Sequence, residues 1–326
     1  MKAVLWTRYG TADLLTVGEL QKPVPKDDEL LIKVHAATVT PGDCEIRRFD
    51  IHVLFWLPLR LFMGIRKPRR PVLGMELSGE VVNIGNDVQE FKPGDQILSD
   101  AGIRFGAHAE YVCLKSSSIM AVKPQTLSFE EVATLPTAGL NALHYLRKGN
   151  IKPGQKVLIK GASGCFGAYA VQLAKLFGAE VTGVDRTEKL AVLCELGADH
   201  VIDYTRENYL ENGQKYDVIF DVVGNSSITA GMKSLTDNGR YILATPWVRR
   251  VIEGKWTSWT SRRKFTYSLA KYRREDLEYL TDLMEAGKIR AVIDKVYPLE
   301  EVPLAHKYVE AGDKTGHVVI KITDSL

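Results

Sequence analysis

The sequence predicts an α/β protein in two parts. One is a doubly wound parallel sheet over residues 123–287; the other is a compact β-rich domain over residues 1–122, completed by 288–326. Three observations carry this. An apolar strand at Val157-Leu158-Ile159 runs into a turn of small residues, Gly161-Ala162-Ser163-Gly164, and then into a helix with Ala170, Val171, Leu173 and Ala174 on one side. Strand and helix patterns go on alternating after it, the signature of parallel βα units. Both chain ends instead carry short apolar runs separated by Pro, Gly and Asp.

In chain order, Met1-Lys2-Ala3-Val4-Leu5 opens directly as a strand, with no secretory leader, so a cytoplasmic location is expected. Strands follow at Leu30–Val34, Gly79–Ile84 and Gln96–Leu98, between turns such as Pro23-Val24-Pro25 and Lys92-Pro93-Gly94-Asp95. Ser128 caps a helix running to Leu146, with Glu131 as its capping-box partner. Gly149 and Pro153-Gly154 close it before the nucleotide strand. Then come the strand Glu180–Arg186, a helix from Thr187 to Leu196, a short strand at His200–Ile202 and an apolar strand at Asp217–Val223 that stops at Gly224. Past Ile242 an irregular, basic and aromatic stretch is expected from Trp247 to Tyr272, then a helix at Arg274–Ala286 ended by Gly287. Strand signals return at Val292-Ile293 and Val318–Ile320.

Composition narrows the classes. With 326 residues, 45% hydrophobic and 25% charged, the chain is an ordinary globular protein of about two domains. A net charge of +3 gives no basis for nucleic-acid binding. Cys44, Cys113, Cys165 and Cys194 show no C-x-x-C pairing and read as reduced thiols. The most apolar window, Ile51 to Ile65, is interrupted by Pro58 and Arg60 and is shorter than the ~20 residues a membrane span needs.

The 161–167 turn is where chemistry is expected. Missing side chains at Gly164 and Gly167 admit a pyrophosphate against the backbone and let the helix lie close to its strand, with its first-turn amides facing the phosphates. Ala162 stands where the G-x-G-x-x-G pattern has its first Gly. Ala162, Ser163, Gly164, Cys165, Phe166 and Gly167 therefore form the core of a nicotinamide dinucleotide site. Asp185, ending the next strand, is placed to accept from a ribose 2′-hydroxyl, which favours NAD(H); Arg186 and Lys189 offer cations to a 2′-phosphate, which favours NADP(H). Gly224 leaves room for the nicotinamide half.

These residues resemble the medium-chain dehydrogenase/reductase superfamily, in its zinc-free quinone oxidoreductase (zeta-crystallin-like) branch. The likeness runs nearly end to end, through Met1-Lys2-Ala3-Val4, Glu29–Val34, Pro71–Val81, Phe91–Asp95, the stretch Gly154 to Lys175 with Gln172, and Lys314–Ile320. It departs at Cys165, where the family has Gly. The resemblance implies a Rossmann-type doubly wound parallel sheet plus a GroES-like β-rich domain, with the active site in the cleft between them. It also implies a homodimer joined through the Rossmann sheet edge, and roles for Thr137 near the nicotinamide ribose and Tyr204 beside the adenosine phosphate. With the branch's usual preference, NADP(H) is expected and NAD(H) is the alternative.

Zinc-dependent members use a Cys, a His in Gly-His-Glu and a further Cys or Asp; the matching positions here are Thr40, Met75 and Ala133. Those residue types make no catalytic zinc site, and none is expected. Without a Lewis acid, the favoured hydride acceptors spread charge themselves: quinones and α,β-unsaturated carbonyls. The loop Thr38 to Arg47 resembles the family's substrate loop, which makes Thr40, Asp43 and Arg47 the catalytic candidates. Thr40 replaces the family's Asn and keeps a hydroxyl donor; Asp43 and Arg47 are expected to pair; Glu45 stands where many relatives have Tyr. His108 is a lesser candidate for a proton relay. The apolar segment Phe55–Ile65 is expected to pack in the core and the Arg66–Arg70 run to be solvated; the alternatives are an apolar lid over a bulky ring substrate and a surface that touches membrane, which the basic run would support through anionic lipid. Alternative functions are an NAD(P)-dependent alcohol dehydrogenase and a non-catalytic NADPH-binding protein.

Overall fold

Residues 1–51, 53–244, 248–259 and 261–322 are described by the computed structural model. Two compact units result. The first comprises Met1–Thr137, Arg273–Glu285 and Ala291–Leu326; the second comprises Ala138–Tyr272 and Ala286–Arg290.

The first unit is built on a seven-stranded sheet whose long strand, Glu29–Val39, is central because it pairs on both sides. Glu76–Ile84 pairs antiparallel with it on one side, and Gln96–Asp100 continues outward from there. On the other side it takes Tyr111–Lys115 along its first half and His317–Lys321 along its second. The strands Ile293–Pro298 and His317–Lys321 thus complete a sheet begun some 280 residues earlier. Leu30, Ile32, Val34, Leu77, Val81 and Ile97 fill one core.

The second unit holds a six-stranded, wholly parallel sheet. From one edge to the other its strands are His200–Asp203, Glu180–Asp185, Lys156–Lys160, Tyr216–Asp221, Leu235–Leu243 and Lys264–Tyr267. Numbered along the chain, that order is 3-2-1-4-5-6, the doubly wound pattern, with its switch point between Lys156–Lys160 and Tyr216–Asp221.

Several sequence expectations change in detail. The single helix from Ser128 is two, Phe129–Ala133 and Pro136–Gly149, because Pro136 has no amide to continue the first ladder. The Ser128–Glu131 box forms, Ser128 N to Glu131 Oε2 at 2.8 Å and Glu131 N to Ser128 Oγ at 3.2 Å. The helix Arg274–Glu285, expected with the parallel sheet, packs on Ile119–Val122 of the first unit; Arg274 pairs with Glu90 and donates to the Ser116 carbonyl at 2.8 Å. Within the stretch expected to be irregular, Trp247 lies outside the described residues, but Val248–Trp259 is helical and Lys264–Tyr267 joins the sheet edge. The segment at Phe55 is also helical, Val53–Met63, and Leu57, Leu61 and Phe62 are exposed instead of buried in the core. Among the described residues no helix is long and apolar enough to cross a membrane.

Candidate active site

The turn after Lys156–Lys160 sits at the carboxyl end of the sheet's first strand, beside the switch point. Gly161 has φ of 72°, and a Cβ there would meet Val223 at 2.6 Å. Gly167 is tighter still: its Cβ would stand 2.1 Å from the Gly161 carbonyl and 2.7 Å from the Ala162 backbone. The helix Cys165–Leu176 can lie against the turn only because that position is bare. At Gly164, in contrast, a Cβ would find nothing nearer than the Gly161 carbonyl at 3.4 Å, and Gly164 gives the helix no side-chain cap. An open backbone at a helix amino end fits a diphosphate. Gln172 and Lys175, farther along the same helix, brace the fold: Gln172 exchanges hydrogen bonds with the Arg290 backbone, and Lys175 pairs with Asp199 at 2.7 Å.

Asp185 ends the neighbouring strand and is buried. Its Oδ2 accepts from the Ser163 amide at 3.0 Å and hydroxyl at 2.7 Å, and its Oδ1 accepts from the Arg186 amide at 3.0 Å. The carboxylate therefore ties strand end to turn. Arg186 Nε donates to the Tyr204 hydroxyl at 2.8 Å, and Tyr204 is 43% exposed, so a cation and a phenol stand together beside that junction. Lys189 is buried close by in sequence.

Across the switch point, Asp221 Oδ1 accepts from the Val223 and Gly224 amides at 3.1 and 2.8 Å, and Oδ2 from the Tyr241 hydroxyl at 2.7 Å. This holds Gly224 in its left-handed conformation, φ 74°. Lys160 is buried, and desolvation lowers its pKa against the pull of Asp221; its ammonium donates to Asn225 Oδ1 and Ser226 Oγ. The sequence reading named Gly224 but missed Lys160 and Asp221. The signal was there: a charged residue closes each of two apolar strands at the point where both reach the switch.

In the first unit, Thr40 caps the helix Pro41–Arg48. Its hydroxyl donates to Asp43 Oδ2 at 2.7 Å and accepts from the Asp43 amide at 3.1 Å. The proton expected to be free for a substrate oxygen is thus held by Asp43. The expected Asp43–Arg47 pair is not formed. Arg47, fully buried, turns to the helix Val302–Ala311, where it pairs with Glu310 and approaches His306 Nδ1 at 3.4 Å, while its other nitrogen reaches the Gly10 carbonyl at 2.5 Å. Asp43 Oδ2 is engaged by the Thr40 amide and hydroxyl, while the buried guanidinium finds its counter-charge in Glu310. Burial pushes the Asp43 carboxyl up, opposed by His108, and the same burial holds His108 below its ordinary range. His108 Nε2 donates to the Thr38 carbonyl at 2.9 Å, inside the fold and away from solvent.

Residues 26–125 match the alcohol dehydrogenase GroES-like domain family and residues 196–320 the zinc-binding dehydrogenase family. A 2-methylene-furan-3-one reductase of Solanum lycopersicum is 33% identical over 98% of this chain and 79% of its own. An NADPH-dependent alkenal/one oxidoreductase of Arabidopsis thaliana is 30% identical over the same shares. The solved quinone oxidoreductase of Coxiella burnetii superposes with a TM-score of 0.87 at 32% identity, covering 99% of both chains. The chain belongs to the medium-chain dehydrogenase/reductase superfamily, in its quinone oxidoreductase branch.

In this superfamily member Glu76 takes the place of a reader of two segments. Fully buried, it accepts from the Thr38 hydroxyl at 2.5 Å and from the Thr137 amide at 2.8 Å, so it fixes the substrate-loop strand and Thr137 together. Among the described residues, no three His, Cys, Asp or Glu side chains converge as metal ligands. Cys44 lies 3.3 Å from His306 Nδ1, and burial pushes its thiol up to about 12, away from the thiolate a metal requires.

Proposed function

We propose that this chain reduces quinones or α,β-unsaturated carbonyls with NADP(H) in preference to NAD(H), and that it uses no catalytic zinc. One observation carries the reading: the bare cradle at 161–167, with Asp185 engaged on Ser163 and the Arg186–Tyr204 pair beside it. Residues Ala162 to Gly167 would hold the pyrophosphate, Arg186, Lys189 and Tyr204 the 2′-phosphate, and the Gly224 turn would leave space for the nicotinamide. Bound there, the nucleotide supplies a hydride. Asp185 has donors on both oxygens, so its charge serves the turn. The tomato and Arabidopsis relatives, by their names, support enone acceptors and NADPH.

Thr40, Met75 and Ala133 supply no Lewis acid, so the acceptor must delocalise the charge it gains, as a hydroquinone anion or an enolate does. The work left to Thr40, Asp43 and Thr137 is to orient the acceptor through a rigid loop end. Among the described residues no strand pairs with the outer side of Lys264–Tyr267, which supports a homodimer formed through the parallel sheet, and sedimentation equilibrium tests it.

The deciding assay is NADPH oxidation with 1,4-naphthoquinone, enals, enones and 2-butanol, with NADH in parallel and metal analysis of the purified protein. Turnover of the conjugated acceptors by zinc-free protein is expected. Zinc-bearing protein active on 2-butanol alone overturns the reading, as does NADH outperforming NADPH.

A further inference from the structure

The helix Val53–Met63 and the segment after it form a surface that neither the core nor the nucleotide chemistry uses. Its inner side is anchored. Met63 is buried in the core cluster, Trp56 meets Phe49 edge-on at 5.8 Å, and the Arg60 guanidinium lies over the Tyr9 ring at 3.7 Å. Its outer side is bare: Leu57, Leu61, Phe62 and Ile65 are 59%, 50%, 52% and 63% exposed. Leu57 and Leu61 lie one turn apart on the helix, Phe62 follows in its last turn, and Ile65 is exposed just past Gly64. Isolated apolar residues on a surface need no explanation, but a contiguous group does.

Charge identifies what covers it. Residues 51–75 contain five Lys and Arg, at 60, 66, 67, 69 and 70, and no Asp or Glu. Arg66, Lys67, Arg69 and Arg70 are exposed. Gly64, at φ 119°, lets the chain turn back, and the Arg69 amide donates to the Met63 carbonyl at 2.8 Å, so the basic segment is folded against the end of the apolar helix. Apolar side chains beside a run of cations with no acid among them are the make-up of an interfacial element, in which the first enter the acyl boundary and the second meet anionic headgroups. A second copy of this chain fits worse. Two-fold pairing of this face would bring like charges together with no acid in the segment to answer them. Spanning is excluded, since eleven helical residues reach only about 16 Å.

We propose that the 53–70 surface docks the protein peripherally on anionic lipid bilayers. The test is co-sedimentation of the full chain with phosphatidylcholine vesicles, with or without about 30 mol % phosphatidylglycerol. Binding is expected to the anionic vesicles, falling about tenfold or more on neutral vesicles or in about 0.5 M salt. Leu61→Ser with Phe62→Ser, and separately Arg66→Glu with Arg69→Glu, should each weaken it by about tenfold with an unchanged melting temperature, because these side chains point outward. Equal binding to both vesicle types, no binding, or variants that bind like the parent overturn the proposal. So does a fall in sedimenting mass for Leu61→Ser with Phe62→Ser, or a raised KM for a soluble quinone, when vesicle binding is unaltered; these would assign the face to self-association or to a substrate lid. The readout does not depend on turnover, so it stands or falls apart from the reductase reading.

Discussion

Gly167 is the residue at which the nucleotide turn tolerates least. An Ala there must displace backbone, because the contacts at 2.1 and 2.7 Å are with a carbonyl and a main-chain carbon. Gly167→Ala is expected to cost about 1–3 kcal/mol of stability and to weaken NADPH binding more than any nearby change, as calorimetry and fluorescence titration would show. Arg186→Ala leaves the turn intact but removes a charged donor, so KM for NADPH should rise about tenfold or more while KM for NADH hardly moves. Equal loss for both nucleotides would remove Arg186 from the phosphate site. The thiols differ by environment as well. Cys194 is exposed, whereas Cys44 is buried and pushed up to about 12. Native-state iodoacetamide labelling followed by mass spectrometry should find Cys194 modified first and Cys44 only after unfolding.

The helix Pro41–Arg48 shows how one element joins a cap to a buried charge. Its amino end is held by the Thr40–Asp43 box, and its last turn presents Arg47 to Glu310 on another helix. Thr40→Ala should lower stability by about 1 kcal/mol through the lost cap. Glu310→Gln should cost more, about 3 kcal/mol, because it leaves a fully buried guanidinium without its counter-charge; Glu310 itself is 20% exposed, which keeps the loss at the low end. Chemical denaturation of the two variants distinguishes these cases. A larger loss for Thr40→Ala would mean that the cap, not the ion pair, anchors this helix. Elements of this kind were legible by type from sequence, since Ser128-x-x-Glu131 is a local pattern. The break at Pro136 is equally local, a residue without an amide set inside an apolar helical period.

At the scale of the whole molecule, pH enters through Asp100. Burial raises its carboxyl to about 6, with the Gly102 amide opposing and the Asp43 charge adding. Between about pH 4 and 6 the folded state keeps a proton that the unfolded chain has released, so stability falls as pH rises through that window, by up to ~1.4 kcal/mol per unit. Asp100→Asn retains the acceptor for Gly102 and removes the titration. Relative to the parent, it should gain about 2 kcal/mol between pH 4 and pH 6.5, and parallel melting curves at the two pH values would contradict this.

The sequence by itself determined the parallel βα unit, the bare turn at 161–167 and the strand-rich chain ends, because each rests on periodicity or on side chains missing at fixed short offsets. Only the tertiary structure decided where the ionisable groups found partners. Arg47 meets Glu310 across 263 residues of chain, Asp185 holds Ser163, Lys160 reaches Asn225, and the apolar face of Val53–Met63 stays outside the core. Those outcomes depend on which distant segments come within about 3 Å, and no local pattern in the chain encodes that distance.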